Sequence, residues 1–306
     1  MKKILETYAP WIALLLLLIL CAATCHSFRI PANYAVMLRQ ACYTGIIAVG
    51  MTFVIGAGGI DLSVGSIFAL SGVAAFKLAP LCAASPYGIF GAAVLIALLT
   101  GALCGALNGA LAGFAKLPPF IVTLGTMSIF RSLALYSGEA GRVGLNNAPL
   151  AALDSAGTVW IFLLCGALGA LVLGRTVFGV RVRASGSNEK VARFSGIDTG
   201  LIRFQTYLYT GLLCALAALL WGGRLGGISS ANDGMGSELD AIAAVIVGGT
   251  SMSGGKASVT GTVAGILILT AISNALVAWG ISPRLQECVK GAVIIIAVLS
   301  QYRKER

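Results

Sequence analysis

The sequence predicts an all-α, polytopic membrane protein of about ten transmembrane helices, some of them broken or re-entrant. Three observations lead there. Of 306 residues, 58% are hydrophobic and 10% charged, against about 25% charged in soluble domains. Apolar runs follow one another along the whole chain, separated by short polar connections. Glycine supplies 40 of the 306 residues, about twice the usual share of roughly 7%, which suits helices that approach closely in lipid. The formal net charge of +10 lies mostly in the connections, so membrane topology accounts for it and nucleic acid is not implied.

The first run, 10–26, follows Lys2 and Lys3 and looks like a signal peptide. Because every later run is also apolar, it reads as an uncleaved first span, with no additional N-terminal domain expected. The next two, 38–56 and 62–80, flank VIGAGGIDLS, where Gly56, Gly58 and Gly59 break the helix beside one acidic residue, Asp61. Irregular backbone is tolerated at membrane depth only inside protein or along a water-filled path. Asp61 and Ser63 therefore enter as candidates beside a transport path. An ionised Asp61 in hydrocarbon would cost about 2.5–3.5 kcal/mol, so it needs water or partners.

Span four, 88–112, carries Gly101, Gly105, Gly109 and Gly113 at intervals of four. This is a small-residue ridge for helix packing. Asn108 shares that face and reads as glue between helices or as a substrate ligand. Thr123 in span five (118–137) and Asn274 in span nine (257–276) are further path candidates, as uncharged hydrogen-bonding groups within apolar spans. The 137–157 loop, with Glu139, Arg142 and Asp154, reads as solvated. Span six is 157–175 and span seven 204–222.

Between them, 175–203 holds six basic and two acidic residues. Ser187 can cap a short helix there, Glu189 suits its first turn, Arg193 lies i,i+4 from Glu189, and Gly196 can end it in the left-handed conformation. A helix of roughly eight residues is marginal alone, so it should pack on the membrane domain or dock on a partner. Span eight, 238–250, opens on a capping-box-like Ser237-Glu238-Leu239-Asp240 and runs into GGTSMSGGKAS. That turn fails the phosphate-loop pattern, since Thr250 and Ala257 fall where glycine and Ser/Thr are required. It resembles the turn at 54–66 in composition, and an internal repeat is one reading of the pair. Span ten is 286–301.

With the N-terminus in the cytoplasm, 13 of the 21 Lys and Arg residues fall inside, and both termini are cytoplasmic. The glycine break then faces the cytoplasm, which favours Asp61 as a gate or joint over a direct ligand. The eight cysteines lie mostly in apolar runs and His26 is the sole histidine, so no metal site is expected. No nucleophile–base pairing suggests catalysis, and the chain reads as no enzyme. A stand-alone secondary transporter or channel is the alternative; it would need intramembrane ionisable groups, and besides Asp61 the sequence offers only residues near span ends, such as Arg131 and Glu287.

Four segments together resemble permease subunits of bacterial ABC importers for monosaccharides, the ribose/xylose/arabinose-type group. They are GMTFVIGAGGIDLSVGSIFALSG (50–72), NGALAGFAKLPPFIVTLGTM (108–127), GVRVRASGSNEKVARFSGI (179–197) and GSELDAIAAVIVGGTSMSGGK (236–256). The resemblance implies one transmembrane permease domain over 1–306 in the bacterial cytoplasmic membrane, with 176–203 as a cytoplasmic loop bearing a short coupling helix. It implies as partners a second permease copy or a paralogue, a cytoplasmic ATPase dimer, an extracytoplasmic sugar-binding protein and membrane lipid. ATP and Mg belong to the ATPase, leaving no cofactor in this chain. Gly186, Asn188, Glu189, Ala192 and Gly196 match the family's docking segment in broad form, with Arg193 beside them. A ribose-like sugar is the expected cargo.

Overall fold

In a computed structural model the described residues are 2–282 together with 285, 286, 288–293, 295, 296 and 299. They form helices α1 (Lys2–Thr24), α2 (Pro31–Gly56), α3 (Val64–Cys82), α4 (Pro86–Gly109), α5 (Pro119–Ser137), α6 (Ala148–Arg175), α7 (Val177–Ser187), α8 (Glu189–Phe194), α9 (Thr199–Leu225), α10 (Ser237–Val247) and α11 (Val259–Ala278). A π-helical turn, Ala110–Phe114, extends α4. Strands β1 (Arg142–Gly144) and β2 (Gly227–Ser229) pair antiparallel, with Val143 opposite Ile228.

Among the described residues seven helices are long and apolar enough to cross a membrane, and α1 adds a shorter apolar stretch, Tyr8–Thr24. The expected eighth span is instead α10, whose 11 residues extend about 16 Å at 1.5 Å per residue, roughly half a hydrocarbon core. The expected tenth span, 286–301, lies partly outside the described residues.

Helix α2 forms the centre. From Gly45 to Gly56 every residue is buried, and α9, α10, α11 and α6 pack around it. The periphery is inverted relative to a soluble protein. On α4, Leu95, Leu99, Leu103 and Leu107 are exposed at intervals of four, while Ala93, Ala97, Gly101, Gly105 and Gly109 are buried at the same interval. Lipid tails are as apolar as leucine, so the large side chains gain nothing by packing inward and the small ones set the seam.

That seam runs antiparallel along α9. Gly101 meets Gly211, Gly105 meets Tyr207 and Leu208, Gly109 meets Phe204, and Gly113 meets Gly200. A Cβ on Gly105 would overlap the Tyr207 carbonyl oxygen, whereas Gly125 has open space around it. Overpacking costs about 1–3 kcal/mol. Gly105→Val is therefore expected to lower the melting temperature of the purified protein by several degrees, and Gly125→Ala to leave it unchanged; equal melting of both variants would contradict a packed seam.

Two local expectations need correcting. Asp154 is not in a solvated loop, because α6 starts at Ala148, capped by the Asn147 side chain, which accepts from Leu150 N at 3.1 Å. Asp154 is buried and accepts from Tyr43 Oη and Thr158 Oγ1, each at 2.6 Å. Nor does Ser237 cap α10: Gly236 occupies that position with φ +78°, and no side chain caps the helix. Asp240 instead pairs with Lys290 at 3.1 Å.

Candidate functional site

Four of the five path candidates converge. Past the end of α2 the chain turns through Gly58 and Gly59 and returns to start α3. The Asp61 carboxylate oxygen Oδ1 accepts from Ser63 N at 2.9 Å and Ser63 Oγ at 2.6 Å. The Asn108 side-chain amide of α4 donates to Ser63 Oγ at 2.7 Å. The neighbouring Ile60 carbonyl accepts from Tyr207 Oη of α9 at 2.8 Å and from Thr123 Oγ1 of α5 at 3.4 Å. Asp61, Ser63, Asn108 and Thr123 are each fully buried. The cluster thus ties the α2–α3 turn to three other helices, and it is sealed rather than open to a path.

Asn274 is not part of it. Its Oδ1 accepts from Asn33 Nδ2 at 3.0 Å, at the opposite end of α2. A cleft of about 500 Å³ between α7 and α9, with Phe53, Phe178, Arg181 and Tyr209 on its walls, contains none of the five. A smaller cavity of about 100 Å³ is lined largely by polar side chains, among them Gln40, Thr44, Asp240, Thr270, Ser273 and Lys290. Apart from Asp240, which reads as part of a helix start, these groups give no signal in the sequence because they are scattered through apolar runs, and only the packing of α2, α10 and α11 brings them together.

The basic connection is two helices rather than one. Helix α7, which is rich in β-branched residues and glycine, has little intrinsic helix preference, and it forms because it packs against α2, α6 and α9. Helix α8 has six residues, not eight, and its cap is Asn188 rather than Ser187: Asn188 Oδ1 accepts from Val191 N at 3.1 Å. Gly196, at φ +79°, follows its end, and Ile197 N donates back to the Ala192 carbonyl at 3.0 Å.

Glu189 Oε1 accepts from Arg193 at 2.6 Å and from Thr199 Oγ1 at 3.3 Å, and its Oε2 accepts from Arg203 at 2.6 Å. Arg203 and Thr199 belong to α9 and were not singled out in the sequence, since 14 and 10 residues respectively separate them from Glu189. Part-burial of the Glu189 carboxyl raises its pKa; Arg203, then Arg193, more than reverse this and hold it below the ordinary 4.5. Ala192 is buried beneath α8, while Val191 is 58% and Phe194 92% exposed. These two apolar side chains were also missed, because on a six-residue helix no periodicity can be read.

Helix α7 touches both glycine turns. Gly186 of α7 packs against the Gly56 carbonyl so closely that a Cβ there would overlap it, and Gly255 N lies 2.6 Å from the same Cβ position. Gly255 N itself donates to the Gly56 carbonyl at 3.1 Å. The turns also share their geometry. Gly58 N donates to Ile55 O and Gly59 N to Val54 O, each at 2.9 Å; Gly249 N donates to Ile246 O at 2.9 Å and Thr250 N to Val245 O at 3.1 Å. Gly58 and Gly249 take φ +78° and +89°. Both are helix ends closed by a left-handed residue, one at the end of α2 and one at the end of α10.

Arg131, near a span end in the sequence, clamps three carbonyls: Ser230 O at 3.1 Å, Asp233 O at 3.0 Å and Gly65 O at 3.2 Å. It anchors the irregular segment between β2 and α10 against the start of α3.

Residues 33–298 match the family described as "Branched-chain amino acid transport system / permease component". The chain is 38% identical to the ribose import permease protein RbsC of Bacillus subtilis strain 168, over 98% of this chain and 94% of the relative. It is 36% identical to RbsC of Escherichia coli strain K12 (96% and 93%) and 31% identical to the L-arabinose transport system permease protein AraH of the same strain (99% and 93%). Among solved structures it is similar in fold to an inward-facing ABC transporter assigned to the metal-chelate type, with TM-score 0.52 and 16% identity over 98% of this chain and 100% of the other. Full-length similarity, the run of membrane-length helices and the family match agree: the chain belongs to the ABC transporter permease-component family, as a multi-pass membrane protein that serves transport rather than catalysis.

Proposed function

We propose that the chain is the membrane subunit through which an ABC importer passes a monosaccharide, ribose-like in kind, from an extracytoplasmic binding protein into the cytoplasm. The single observation that carries the docking part is α8: a short helix with Phe194 and Val191 exposed, beyond the ends of the long helices and held in place by the Glu189 network. Apolar side chains presented this way suit the groove of a partner, here a cytoplasmic ATPase dimer that supplies ATP and Mg. In this reading 176–203 is the cytoplasmic loop, both termini are cytoplasmic, and the bilayer is the bacterial inner membrane. A second copy or a paralogue completes the permease pair. About ten membrane segments result if α1, α10 and 286–301 are counted with the seven long helices.

The sugar is favoured because relatives at 31–38% identity are named for ribose and arabinose. The polar cavity at Gln40, Thr44 and Thr270 offers uncharged hydrogen-bonding groups for such a cargo. The test is uptake of labelled ribose by proteoliposomes holding permease, ATPase and binding protein, with arabinose, xylose and leucine as competitors. ATP-dependent ribose uptake is expected; competition by leucine alone, or transport by the chain without ATP or partners, would overturn the reading.

Glu189→Ala combined with Arg193→Ala is expected to weaken co-purification of the ATPase several-fold, because α8 loses its anchor to Arg203 as well as its internal pair. Wild-type recovery would contradict docking through a rigid α8. A carboxylate held below its ordinary pKa stabilises the fold above that ordinary value and loses this contribution as pH falls through the lowered one. Association should therefore stay constant from neutral pH to below the ordinary 4.5 and weaken only in stronger acid, with Glu189→Gln showing no such step.

A further inference from the structure

The Asp61 cluster has a shortage of donors. Asp61 Oδ1 receives two hydrogen bonds from Ser63, whereas Asp61 Oδ2 and Asn108 Oδ1 are buried with no hydrogen-bond partner. Ser63 is fully used: its hydroxyl donates to Asp61 and accepts from Asn108. The Ile60 carbonyl is likewise engaged by Tyr207 and Thr123. Two acceptor oxygens in one sealed cluster are thus without a donor. Leaving buried polar groups unpaired is costly, and native proteins rarely do so.

The charge is also uncompensated. Asp61 is fully buried, and the ion pairs among the described residues run to Glu139, Glu189 and Asp240, none to Asp61. The titratable groups facing it are Cys104 on α4 and Tyr207 and Cys214 on α9, all neutral acids that cannot balance an anion. The α5 contribution is Thr123, and α3 contributes Ser63's neighbours, which carry no charge. A buried carboxylate without a cation either takes a proton or holds a metal cation.

We propose that Asp61 is a proton-binding site, with Oδ2 carrying a proton and Asn108 Oδ1 serving as its acceptor. One added proton supplies the missing donor, pairs both orphaned oxygens and removes the charge. The neutral carboxyl then cross-links the α2–α3 turn to α4. Any movement that draws α4 away from residues 60–63 admits water, and Asp61 ionises by giving its proton to that water. The proton occupancy of Asp61 is in this way a marker of whether the cluster is closed. This holds whichever solute the permease carries.

The experiment is infrared difference spectroscopy of the purified full-length chain in lipid nanodiscs at neutral pH. The wild-type protein should show a carboxylic-acid C=O band that shifts in heavy water and is missing from Asp61→Asn. In Asn108→Ala the same band should move to higher frequency, because its acceptor is gone; this arm decides the matter should Asp61→Asn fail to fold. Both variants are checked for cooperative melting. Absence of the band from wild-type protein, or a band unmoved in Asn108→Ala, would overturn the proposal. So would thermal stabilisation of wild-type protein by sodium over N-methylglucamine that Asp61→Asn abolishes, since a metal cation would then be the occupant.

Discussion

Phe194→Ala is expected to release the ATPase from the permease. The side chain is 92% exposed on α8, so its removal leaves no hole in this chain and takes nothing from the Glu189 network. In the assembled transporter the same ring would be buried in the partner's groove. Aromatic anchors of this kind cost about 2 kcal/mol or more when truncated, or roughly a 30-fold loss of affinity at 1.4 kcal/mol per factor of ten. Binding of purified ATPase to permease in nanodiscs, followed by ATP-dependent uptake, measures it. Both should fall, while the melting temperature of the permease alone stays unchanged. Undiminished binding would remove α8 as the docking element, however well it is capped.

Gly186→Val should have the opposite signature: ATPase retained, transport lost. Gly186 sits where α7 meets the Gly56 carbonyl and Gly255 of the second turn. A valine there overlaps backbone, which cannot rotate aside as a side chain can. Overpacking of about 1–3 kcal/mol would separate α7 from the two turns and shift the closed population by roughly 5- to 150-fold. Helix α8 lies beyond Asn188 and keeps its own cap and ion pairs, so docking persists. Uptake at the wild-type rate would show that movement of α7–α8 does not pass through this contact. Gly196→Ala is a useful comparison, because its φ of +79° strains α8 itself with open space around it.

Much of this molecule could be read before its fold was known, and the reasons are local. Low charge and repeated apolar runs specify membrane helices because the bilayer leaves backbone groups no other partner. The four-residue glycine spacing at 101–113 specifies a helix seam because 3.6 residues per turn keep those positions on one face. Glu189 and Arg193 are legible as a pair for the same reason. The boundaries were less so. Asn188 and Ser187 are both good caps, and the choice between them depends on α7 continuing to Ser187, which its packing on α2 and α9 decides.

The sequence by itself determined the class of the protein, the seam of α4, the glycine breaks and the position of the short helix at Glu189. These follow from composition and from spacings within one helix. Only the tertiary structure decided which distant groups meet. It placed Asn108 against Ser63 and Asp61, took Asn274 away to Asn33, and joined Arg203 to Glu189. It also brought Gly56, Gly186 and Gly255 together. The physical reason is that hydrogen bonds and backbone contacts across 14 to 241 residues of chain are set by how helices pack, and packing among apolar helices is chosen by shape over whole faces rather than by any one residue's chemistry.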